Sequence, residues 1–385
     1  MSVVAARGFR AAGAAAGIKA SGAPDMALVV ADESVPAAGV FTTSRTAAPP
    51  VEVSRAHLVS GTVRAIIVNS GSANAGTGDG GRDDARAMAA AVADELGCDP
   101  TEIIVCSTGP IGGRLPMDCI LGAVPGLVAG LGDGADHAED AARGILTTDS
   151  VPKMATASRR DWTVGGMAKG AGMVRPDMAT MLAFLTTDAV ATPQVLQEAL
   201  IAATDVTFNA LNIDGCQSTN DTVVLLASGA SGIEPSAEEL GDVVEAVCRD
   251  LASQMARDAE GASKVVELQI SGATDVRSAR RLGMAIADSA LVRSSFFGAD
   301  PNWGRVLAAL GVAGEPVDPD HVQIAYDGTV VCRDGVAARF DDAELSARLA
   351  GNFSVSVQVG TGSGQAVVTT TDLTPDYVVF NGERS

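Results

Sequence analysis

Histidine is scarce in this sequence. Only three are present, and they stand in the polar segments SRAHLVSG, GADHAEDA and DPDHVQIA, as His57, His137 and His321. Such segments are typical of a protein surface or of the start of a helix, and none carries a nucleophile motif. A Ser-His-Asp or Cys-His arrangement, in which histidine is the base, is therefore not indicated. If the protein performs acyl transfer, we expect its general base to be another group.

Disulfide and metal-binding patterns are also lacking. The six cysteines include no C-x-x-C pair, and no histidine lies near them at metal-ligand spacing. This usage predicts reduced thiols, a cytoplasmic protein and no metal site.

Positive charge and long apolar runs are in short supply as well. The net charge of −20 and the pI near 4.4 argue against nucleic acid or an anionic membrane as a partner. Arg7, Arg10 and Lys19 interrupt the alanine-rich N-terminal segment, so we predict neither a targeting segment nor a membrane span. These features favour a small-molecule role.

Aromatic residues make up only 3% of the chain, so the interior must be packed with Val, Ile, Leu and Ala. At 385 residues the chain exceeds the usual size of one hydrophobic core, which predicts two lobes or a large single sandwich. Strand and helix patterns alternate in both halves. We therefore predict an α/β (α+β layered) fold, a two-lobed sandwich of mixed sheets and helices.

The expected elements follow from local signals. Buried strands are predicted at 62–68 and 103–106 around a helix at 83–96 that Gly97 ends. Thr192 with Pro193 predicts the start of one helix, and Ser236 with Glu239 predicts a capping box for a longer one. Further strands are expected at 265–270, at 322–326 joined through Asp-Gly to 330–333, and at 353–359 and 365–370.

A glycine-rich loop between the first two predicted strands raises a different function. The segment GTGDGG matches G-x-G-x-x-G over 76–81, which is typical of dinucleotide binding and would make the protein an oxidoreductase. Asp79 would place a negative charge where the pyrophosphate should lie, and the following strand ends in Cys-Ser-Thr rather than in an acid for the ribose. A lone glycine motif is weak evidence, and this remains a distant alternative.

The segment MAKGAGMVRPDMATMLAFLTTD, residues 167–188, runs from a glycine-rich loop through Ala179 and Thr180 into an apolar strand. Thr180 could be only a β-branched residue that opens the strand. If the chain is cut before it, however, the same residue holds a hydroxyl nucleophile and an α-amine with a pKa of about 7.7 to 8.0. The cut itself needs only that hydroxyl, which attacks the carbonyl of Ala179 before water resolves the ester.

The stretch GGMAKGAGMVRPDMATML resembles the self-cleavage segment of the ornithine acetyltransferase family, also called glutamate N-acetyltransferase, of the arginine pathway. Six further blocks resemble the same family in the same order and span nearly the whole chain. They are VNSGSANAGTG (68–78), CSTGPIG (106–112), LTTD (146–149), STNDT (218–222), RDAEGASK (257–264) and FGADPNWGR (297–305).

The resemblance implies self-cleavage between Ala179 and Thr180. It gives an N-terminal chain, 1–179, and a C-terminal chain, 180–385, which stay associated, by analogy as α2β2. Thr180 would be the nucleophile that carries the acetyl group and contacts substrate. Thr108 and Gly109 would form the oxyanion hole, for which a hydroxyl and a backbone N–H at a strand end are suitable donors. A plain exit from a strand would look the same in sequence.

The resemblance also assigns the substrate-binding residues, which are Thr147, Lys169, Glu260, Asn381 and Ser385. Lys169 would supply a point charge for a carboxylate, and Glu260 would pair with the δ-ammonium of ornithine. On sequence alone each could be a solvated surface charge. Ser385 is the counterpart of a terminal hydroxyl, although the tail NGERS departs from the family pattern.

Asn220 and Asp221 in the STNDT block are turn residues or line the site, and they are not included in the predicted set.

The reading that we favour is acetyl transfer from N2-acetylornithine to glutamate in two half-reactions. A self-cleaving threonine amidase or aminopeptidase with water as acceptor is the nearest alternative, and a non-catalytic binding protein of the same fold is another. No cofactor is expected. The sequence has no evident nucleotide-phosphate site, which favours a monofunctional enzyme, while acetyl-CoA stays open as a co-substrate.

Overall fold

The computed structural model describes residues 2–175 and 181–383. The chain divides into two compact units. Within the described ranges, the first contains residues 2–173, 181–209 and 216–255, and the second contains 174–175, 210–215 and 256–383. The predicted division of the covalent chain between residues 179 and 180 falls outside the described residues, and it stays a prediction.

The strands, in chain order, are β1 Phe9–Ala14, β2 Met26–Phe41, β3 Thr62–Ser70, β4 Ile103–Thr108, β5 Lys153–Arg159, β6 Trp162–Lys169, β7 Leu182–Thr187, β8 Leu211–Asn212, β9 Thr222–Ala227, β10 Val265–Ala273, β11 Gln323–Tyr326, β12 Thr329–Arg333, β13 Val336–Ala337, β14 Phe353–Gln358 and β15 Gly364–Thr371. The helices are α1 Pro49–His57, α2 Gly78–Leu96, α3 Met117–Ala129, α4 Ala135–Gly144, α5 Pro193–Val206, α6 Ala237–Arg257, α7 Val276–Asp288, α8 Ala290–Phe297, α9 Trp303–Gly311, α10 Asp342–Arg348 and α11 Pro375–Gly382.

The first unit is built on a mixed sheet in the order β4-β3-β2-β9-β7-β6-β5, with β1 paired to β2. The long strand β2 carries an irregularity between Val30 and Val35, and its first part pairs with β3 while its last part pairs with β9. Side chains from both parts of the sheet, among them Ile66 and Phe184, lie in one buried cluster. The two halves therefore pack face to face as a sandwich.

Helices cover the outer faces of this sandwich. Met88 and Val92 of α2, with Ile120 of α3, pack in a second cluster against the strands β2, β3 and β4. On the other side, α6 packs on β6: a Cβ on Gly166 would lie 3.0 Å from the side chain of Val247 and 3.1 Å from that of Leu251.

The second unit contains a mixed sheet in the order β13-β12-β11-β14-β10-β15-β8. One face packs on helices α7, α8 and α9 through a single cluster of buried side chains that includes Leu282, Phe296 and Val306. The strands predicted at 353–359 and 365–370 are present, but they do not pair with each other, because β10 lies between them. The two mixed sheets with their helices confirm the predicted fold class.

Several local predictions are confirmed. Thr192 accepts a hydrogen bond from the N–H of Val195 at the start of α5, and Ser236 and Glu239 exchange the two bonds of a capping box before α6. Asp327 and Gly328 connect β11 to β12.

The helix predicted at 83–96 begins earlier, at Gly78. Gly81 is required there: a Cβ on Gly81 would lie 2.0 Å from the hydroxyl of Thr77, and Asn74 donates a hydrogen bond to the Gly81 carbonyl at 2.9 Å. Close packing thus overrides the low helix propensity of glycine.

None of the described helices combines the length and the apolar character needed to cross a bilayer.

Candidate active site

Strand β4 ends at Thr108, and the chain then leaves the sheet through Gly109. Thr108 is buried, and its carbonyl accepts the N–H of Gly71 at 2.8 Å. Gly109 has φ +136°, and a Cβ there would lie 2.6 Å from the backbone nitrogen of Ser72. Only glycine fits, because both the conformation and the close backbone approach exclude a side chain. The predicted oxyanion segment is therefore held against the loop that follows β3.

Asn220 links this segment to the strand that follows the predicted cleavage junction. The Asn220 side-chain amide is buried and donates to the carbonyls of Ala73, at 2.6 Å, and Ser107, at 2.9 Å. The next residue, Asp221, accepts the backbone N–H of Met181 at 2.9 Å through Oδ1. Two consecutive residues thus connect the Ser107–Thr108 strand end with the amide that is covalently bonded to Thr180.

Asp221 is a fully buried acid with an unusual environment. Burial raises the pKa of its carboxyl well above the ordinary value, although the Met181 N–H, the charge of Lys169 and the nearby hydroxyls of Thr42 and Ser218 favour the carboxylate. Its Oδ2 atom is buried and has no hydrogen-bond partner among the described residues; the Thr42 hydroxyl donates to the Ser218 carbonyl instead, at 2.9 Å. Burial therefore favours the neutral, protonated form of the Asp221 carboxyl.

Lys169 is the last residue of β6, where it pairs with Leu182 at the start of β7. That register places Lys169 one strand away from the residues that follow the junction. Its side chain is 3% exposed, and its Nζ lies 4.0 Å from Oδ2 of Asp149.

The carboxylate of Asp149 is the centre of a buried ionic group. Its Oδ1 accepts Nζ of Lys153 at 2.7 Å and the N–H of Gly170 at 2.7 Å, and its Oδ2 accepts the N–H of Thr147 at 3.2 Å. Burial opposes its ionised form, but the charges of Lys169 and Lys153 and the Gly170 N–H outweigh it and hold the pKa of Asp149 at about 2. Two predicted substrate residues, Thr147 and Lys169, are thereby brought together.

The second unit brings Glu260 and Asn381 together. Nδ2 of Asn381, in α11, donates to Oε2 of Glu260 at 3.2 Å. The helix is docked on the loop after Glu260: the Thr374 hydroxyl donates to the carbonyl of Gly261 at 2.5 Å. Gly261 has φ +62°, and a Cβ there would lie 2.3 Å from the nitrogen of Tyr377. Glycine at position 261 is thus what permits the contact.

Three predicted positions, Ala179, Thr180 and Ser385, lie outside the described residues. The described residue next to the predicted junction is Met181.

A family model for ArgJ matches residues 10–385 of the chain. The chain belongs to the ArgJ family. An ArgJ relative from Mycolicibacterium paratuberculosis, named arginine biosynthesis bifunctional protein ArgJ, is 49% identical over 393 residues, which cover 100% of this chain and 96% of the relative.

Two solved structures are also similar. Ornithine acetyltransferase from Mycobacterium tuberculosis, complexed with ornithine, is 50% identical and covers 45% of this chain and 93% of its own, with a TM-score of 0.44. Arginine biosynthesis bifunctional protein ArgJ from Bacillus halodurans is 35% identical and covers 55% of this chain and 100% of its own, with a TM-score of 0.51. Membership of the ArgJ family confirms the resemblance that the sequence blocks indicated.

The histidines of this ArgJ family member have structural partners. His57 ends α1 rather than opening a helix, and its Nδ1 lies 2.8 Å from the carbonyl of Ile103. His137 and His321 pair with the exposed carboxylates of Asp136 and Asp318.

No disulfide joins any of the six cysteines, and burial raises the pKa of Cys106, in β4, to about 12.

The GTGDGG loop gives little support to dinucleotide binding. Strand β3, before the loop, is parallel to β4 but antiparallel to β2, unlike the parallel sheet of doubly wound nucleotide-binding folds. Asp79, the loop's acid, is exposed and pairs with Arg82.

Sequence reasoning missed Asp149 and left out Asn220 and Asp221. All three stand inside blocks that resemble the ArgJ family. Asn220 and Asp221 directly precede the buried strand β9, and that position was the available signal, because a buried polar group requires partners. Asp149 lies four residues before β5 and had no such signal.

Proposed function

We propose that this protein transfers the acetyl group of N2-acetylornithine to glutamate through an acetyl-Thr180 intermediate, after it has cleaved itself between Ala179 and Thr180. Ornithine and N-acetylglutamate are the products, and the place of the reaction is arginine biosynthesis. The observation that carries the proposal is the double link through Asn220 and Asp221, which ties the end of β4 to the amide of Met181. This link supports a common site for the nucleophile and the oxyanion donors.

The cleavage step that we propose uses the Thr180 hydroxyl on its own chain. The hydroxyl oxygen attacks the carbonyl carbon of Ala179, the bond from that carbon to the Thr180 nitrogen breaks, and the nitrogen takes a proton. Water then hydrolyses the ester and releases the Ala179 carboxylate. Thr180 is left with a hydroxyl and an α-amine that acts as its base.

The same hydroxyl then attacks the acetyl carbonyl of N2-acetylornithine. The hydroxyl of Thr108 and the N–H of Gly109 stabilise the oxyanion, and ornithine leaves with the proton that the α-amine of Thr180 carried. In the second half-reaction the amine of glutamate attacks the acetyl ester, and Thr180 is regenerated. Ping-pong kinetics are the expected result.

Charge complementarity supports the assignment of the substrate-binding residues. Lys169 and Thr147 receive the α-carboxylate that both amino-acid substrates carry. Glu260, held by Asn381, receives the δ-ammonium, which only ornithine carries. Ser385 remains the proposed terminal hydroxyl contact.

The division into two chains has support from the solved ArgJ structure of Bacillus halodurans. The crystal chain is covered completely, yet it corresponds to 55% of this chain, so it is about half as long. Residues 180–385 are 206 of the 385 residues, a similar share. We propose that the two chains stay associated, as α2β2.

A second activity is favoured by the word bifunctional in the relative's name. We propose that acetyl-CoA also acetylates Thr180, since a second donor needs only the same nucleophile. This departs from the monofunctional enzyme that the lack of a phosphate-binding motif had favoured. Formation of N-acetylglutamate from acetyl-CoA and glutamate, with ornithine absent, is the discriminating measurement.

The test of the main proposal is mass spectrometry of the purified protein, combined with an acetyl-transfer assay. We expect two polypeptides, the second beginning at Thr180, and N-acetylglutamate from N2-acetylornithine and glutamate. Thr180→Ala should remain a single chain and be inactive. An active enzyme that consists only of the full-length chain would refute the proposal. Release of acetate at the same rate without glutamate would favour the amidase instead.

A further inference from the structure

A buried carboxylate joins the chain that follows Glu260 to the chain that follows β15. Oδ1 of Asp372, the residue after β15, accepts the N–H of Ser263 at 2.9 Å and that of Lys264 at 3.1 Å. Its Oδ2 accepts the Ser263 hydroxyl, and its own N–H donates to the Lys264 carbonyl at 3.3 Å. Asp372 is 1% exposed, so these donors replace the water that the carboxylate has lost.

Helix α8 holds both sides of this junction. The buried guanidinium of Arg293 donates to the carbonyls of Thr371, at 2.9 Å, and Asp372, at 3.1 Å. Nζ of Lys264, which is also buried, donates to the carbonyls of the last two residues of α8 at 2.9 and 3.1 Å. One helix therefore fixes the backbone on both sides of the Asp372 carboxylate, and this determines where that carboxylate points.

The two described residues to which we assign the substrate ammonium extend from this junction. Glu260 lies three residues before Ser263. Asn381 lies in α11, which begins three residues after Asp372. The two side chains meet where Nδ2 of Asn381 donates to Oε2 of Glu260 at 3.2 Å. Their contact therefore depends on how the two segments are joined at Asp372.

We propose that Asp372 is a positioning residue for the ammonium subsite and sets the preference for a donor with a δ-ammonium. Asp372 is buried, whereas Glu260 is half-buried and Asn381 is exposed, so Asp372 acts through these two residues and not on the substrate itself. The inference rests on the proposed function, in which Glu260 receives the δ-ammonium of ornithine. Without the carboxylate, two backbone N–H groups lose their acceptor, the segment shifts, and the geometry of a charge-assisted hydrogen bond is lost.

A merely structural role makes a different prediction. If Asp372 only stabilises the second unit, its substitution should damage all donors alike. If it positions the ammonium subsite, the damage should depend on whether the donor has a δ-ammonium. The useful pair of donors is N2-acetylornithine and N2-acetylnorvaline, which is the same molecule without the δ-amino group.

The experiment measures kcat/KM for both donors, with glutamate held constant, in wild type, Asp372→Ala and Ser263→Ala. In Asp372→Ala we expect the preference for N2-acetylornithine to fall about tenfold or more, mainly through KM for that donor, since a charged contact is misplaced. Ser263→Ala removes only the hydroxyl bond to Oδ2 and keeps both backbone bonds to Oδ1. Its preference should fall about threefold.

Two variants in the same unit are matched controls. Asp275→Ala removes a carboxylate that accepts the N–H of Ser278 at 2.7 Å, and Ser354→Ala removes a hydroxyl that donates to Asp327 at 3.2 Å. Both should keep the wild-type preference between the two donors. An unchanged preference in folded Asp372→Ala would overturn the inference. If that variant does not fold, an unchanged preference in Ser263→Ala would overturn it.

A second readout keeps the test independent of turnover. Ornithine should raise the thermal unfolding temperature of wild type more than norvaline does, and this difference should shrink in Asp372→Ala and in Ser263→Ala. The same difference in wild type and in both folded variants would contradict the inference. If wild type makes no N-acetylglutamate but the binding difference behaves as expected, the proposed function fails and the inference about the ammonium subsite stands.

Discussion

Asp221 accepts the backbone N–H of Met181 at 2.9 Å, and the peptide bond joins that nitrogen directly to Thr180. The acid is buried, its other oxygen has no partner among the described residues, and burial raises its pKa well above the ordinary value. In the neutral form that burial favours, this acid orients the amide beside the nucleophile without adding a charge. It is therefore a candidate positioning residue for both proposed steps.

The first prediction separates a neutral acid from a carboxylate at position 221. Asp221→Asn keeps the shape, the acceptor for Met181 and a neutral state, so self-cleavage should proceed within about threefold of the wild-type rate. Asp221→Ala leaves the Met181 N–H unsatisfied, which costs about 1 to 3 kcal/mol, and cleavage should slow by about tenfold or more. Time courses on denaturing gels after expression in a cell-free system measure both rates. Equal loss in the two variants would mean that the ionised carboxylate is required.

The second prediction concerns the oxyanion donors. Thr108→Val keeps the volume and removes the hydroxyl, and kcat for acetyl transfer should fall about 10²- to 10³-fold, the size of one lost oxyanion donor. The neighbouring Ser107 is an internal control, because its buried hydroxyl has no hydrogen-bond partner among the described residues. Ser107→Ala should change kcat little. Similar losses in both variants would indicate a packing effect rather than loss of a donor.

The fold was predictable where its signals are local. The candidate site residues followed from the family resemblance, but the buried contacts that hold them were not predictable. Three confirmed predictions depend only on residues that lie within four positions of each other in the sequence. They are the helix cap at Thr192, the capping box formed by Ser236 and Glu239, and the turn at Asp327. Asn220, by contrast, contacts a carbonyl 113 residues away. Nothing in the short segment STNDT indicates that partner, and a turn residue would have the same composition.

Strand β2 shows the same limit within the fold. Its 16 residues include Asp-Glu-Ser-Val-Pro at 32–36, which breaks the alternation expected of a strand. The irregularity between Val30 and Val35 lets this polar segment bend the strand from one half of the sandwich into the other. Only the pairing of β2 with β3 and β9 shows that this segment belongs to a bent strand, because the sequence of 32–36 alone resembles a loop.

The third prediction tests the base. If the α-amine of Thr180 deprotonates its own hydroxyl, the combined change of His57, His137 and His321 to Asn should spare most of kcat. The contacts of these side chains with Ile103, Asp136 and Asp318 suggest modest effects on stability only. A folded triple variant that loses about a hundredfold or more in kcat, as expected for a missing general base, would refute the assignment.

The fourth prediction concerns discrimination between the two half-reactions. Glu260→Gln removes a negative charge but keeps a group that can contact Asn381. It should raise KM for N2-acetylornithine about tenfold, the value of one charge-assisted hydrogen bond, and change KM for glutamate little. Glu267→Gln, an exposed acid on β10 that contacts Gln269, is the matched control. Equal effects on both substrates would contradict the role of Glu260 in binding an ammonium group.

The last prediction uses the opposite pKa changes of the two buried acids near Lys169. Asp149 has its pKa lowered to about 2. Its contribution to folding is therefore present above the pKa of about 3.9 in the unfolded chain and is lost as the pH falls toward 2. At neutral pH this contribution is on the order of 2 to 3 kcal/mol. Asp221 has its pKa raised, so its contribution is complete below about pH 3.9 and is lost as the pH rises through its folded value.

Asp149→Asn should therefore be less stable than its parent at pH 7, and the deficit should shrink as the pH falls from about 5 to about 3. Asp221→Asn should show the reverse trend and gain stability relative to its parent as the pH rises above about 4. Urea unfolding of both variants, in the uncleaved Thr180→Ala background so that one chain unfolds, measures the two slopes. Parallel curves for Asp149→Asn and the parent would mean that Lys153 and Lys169 do not hold that carboxylate ionised, and parallel curves for Asp221→Asn would mean that position 221 is not a buried neutral acid.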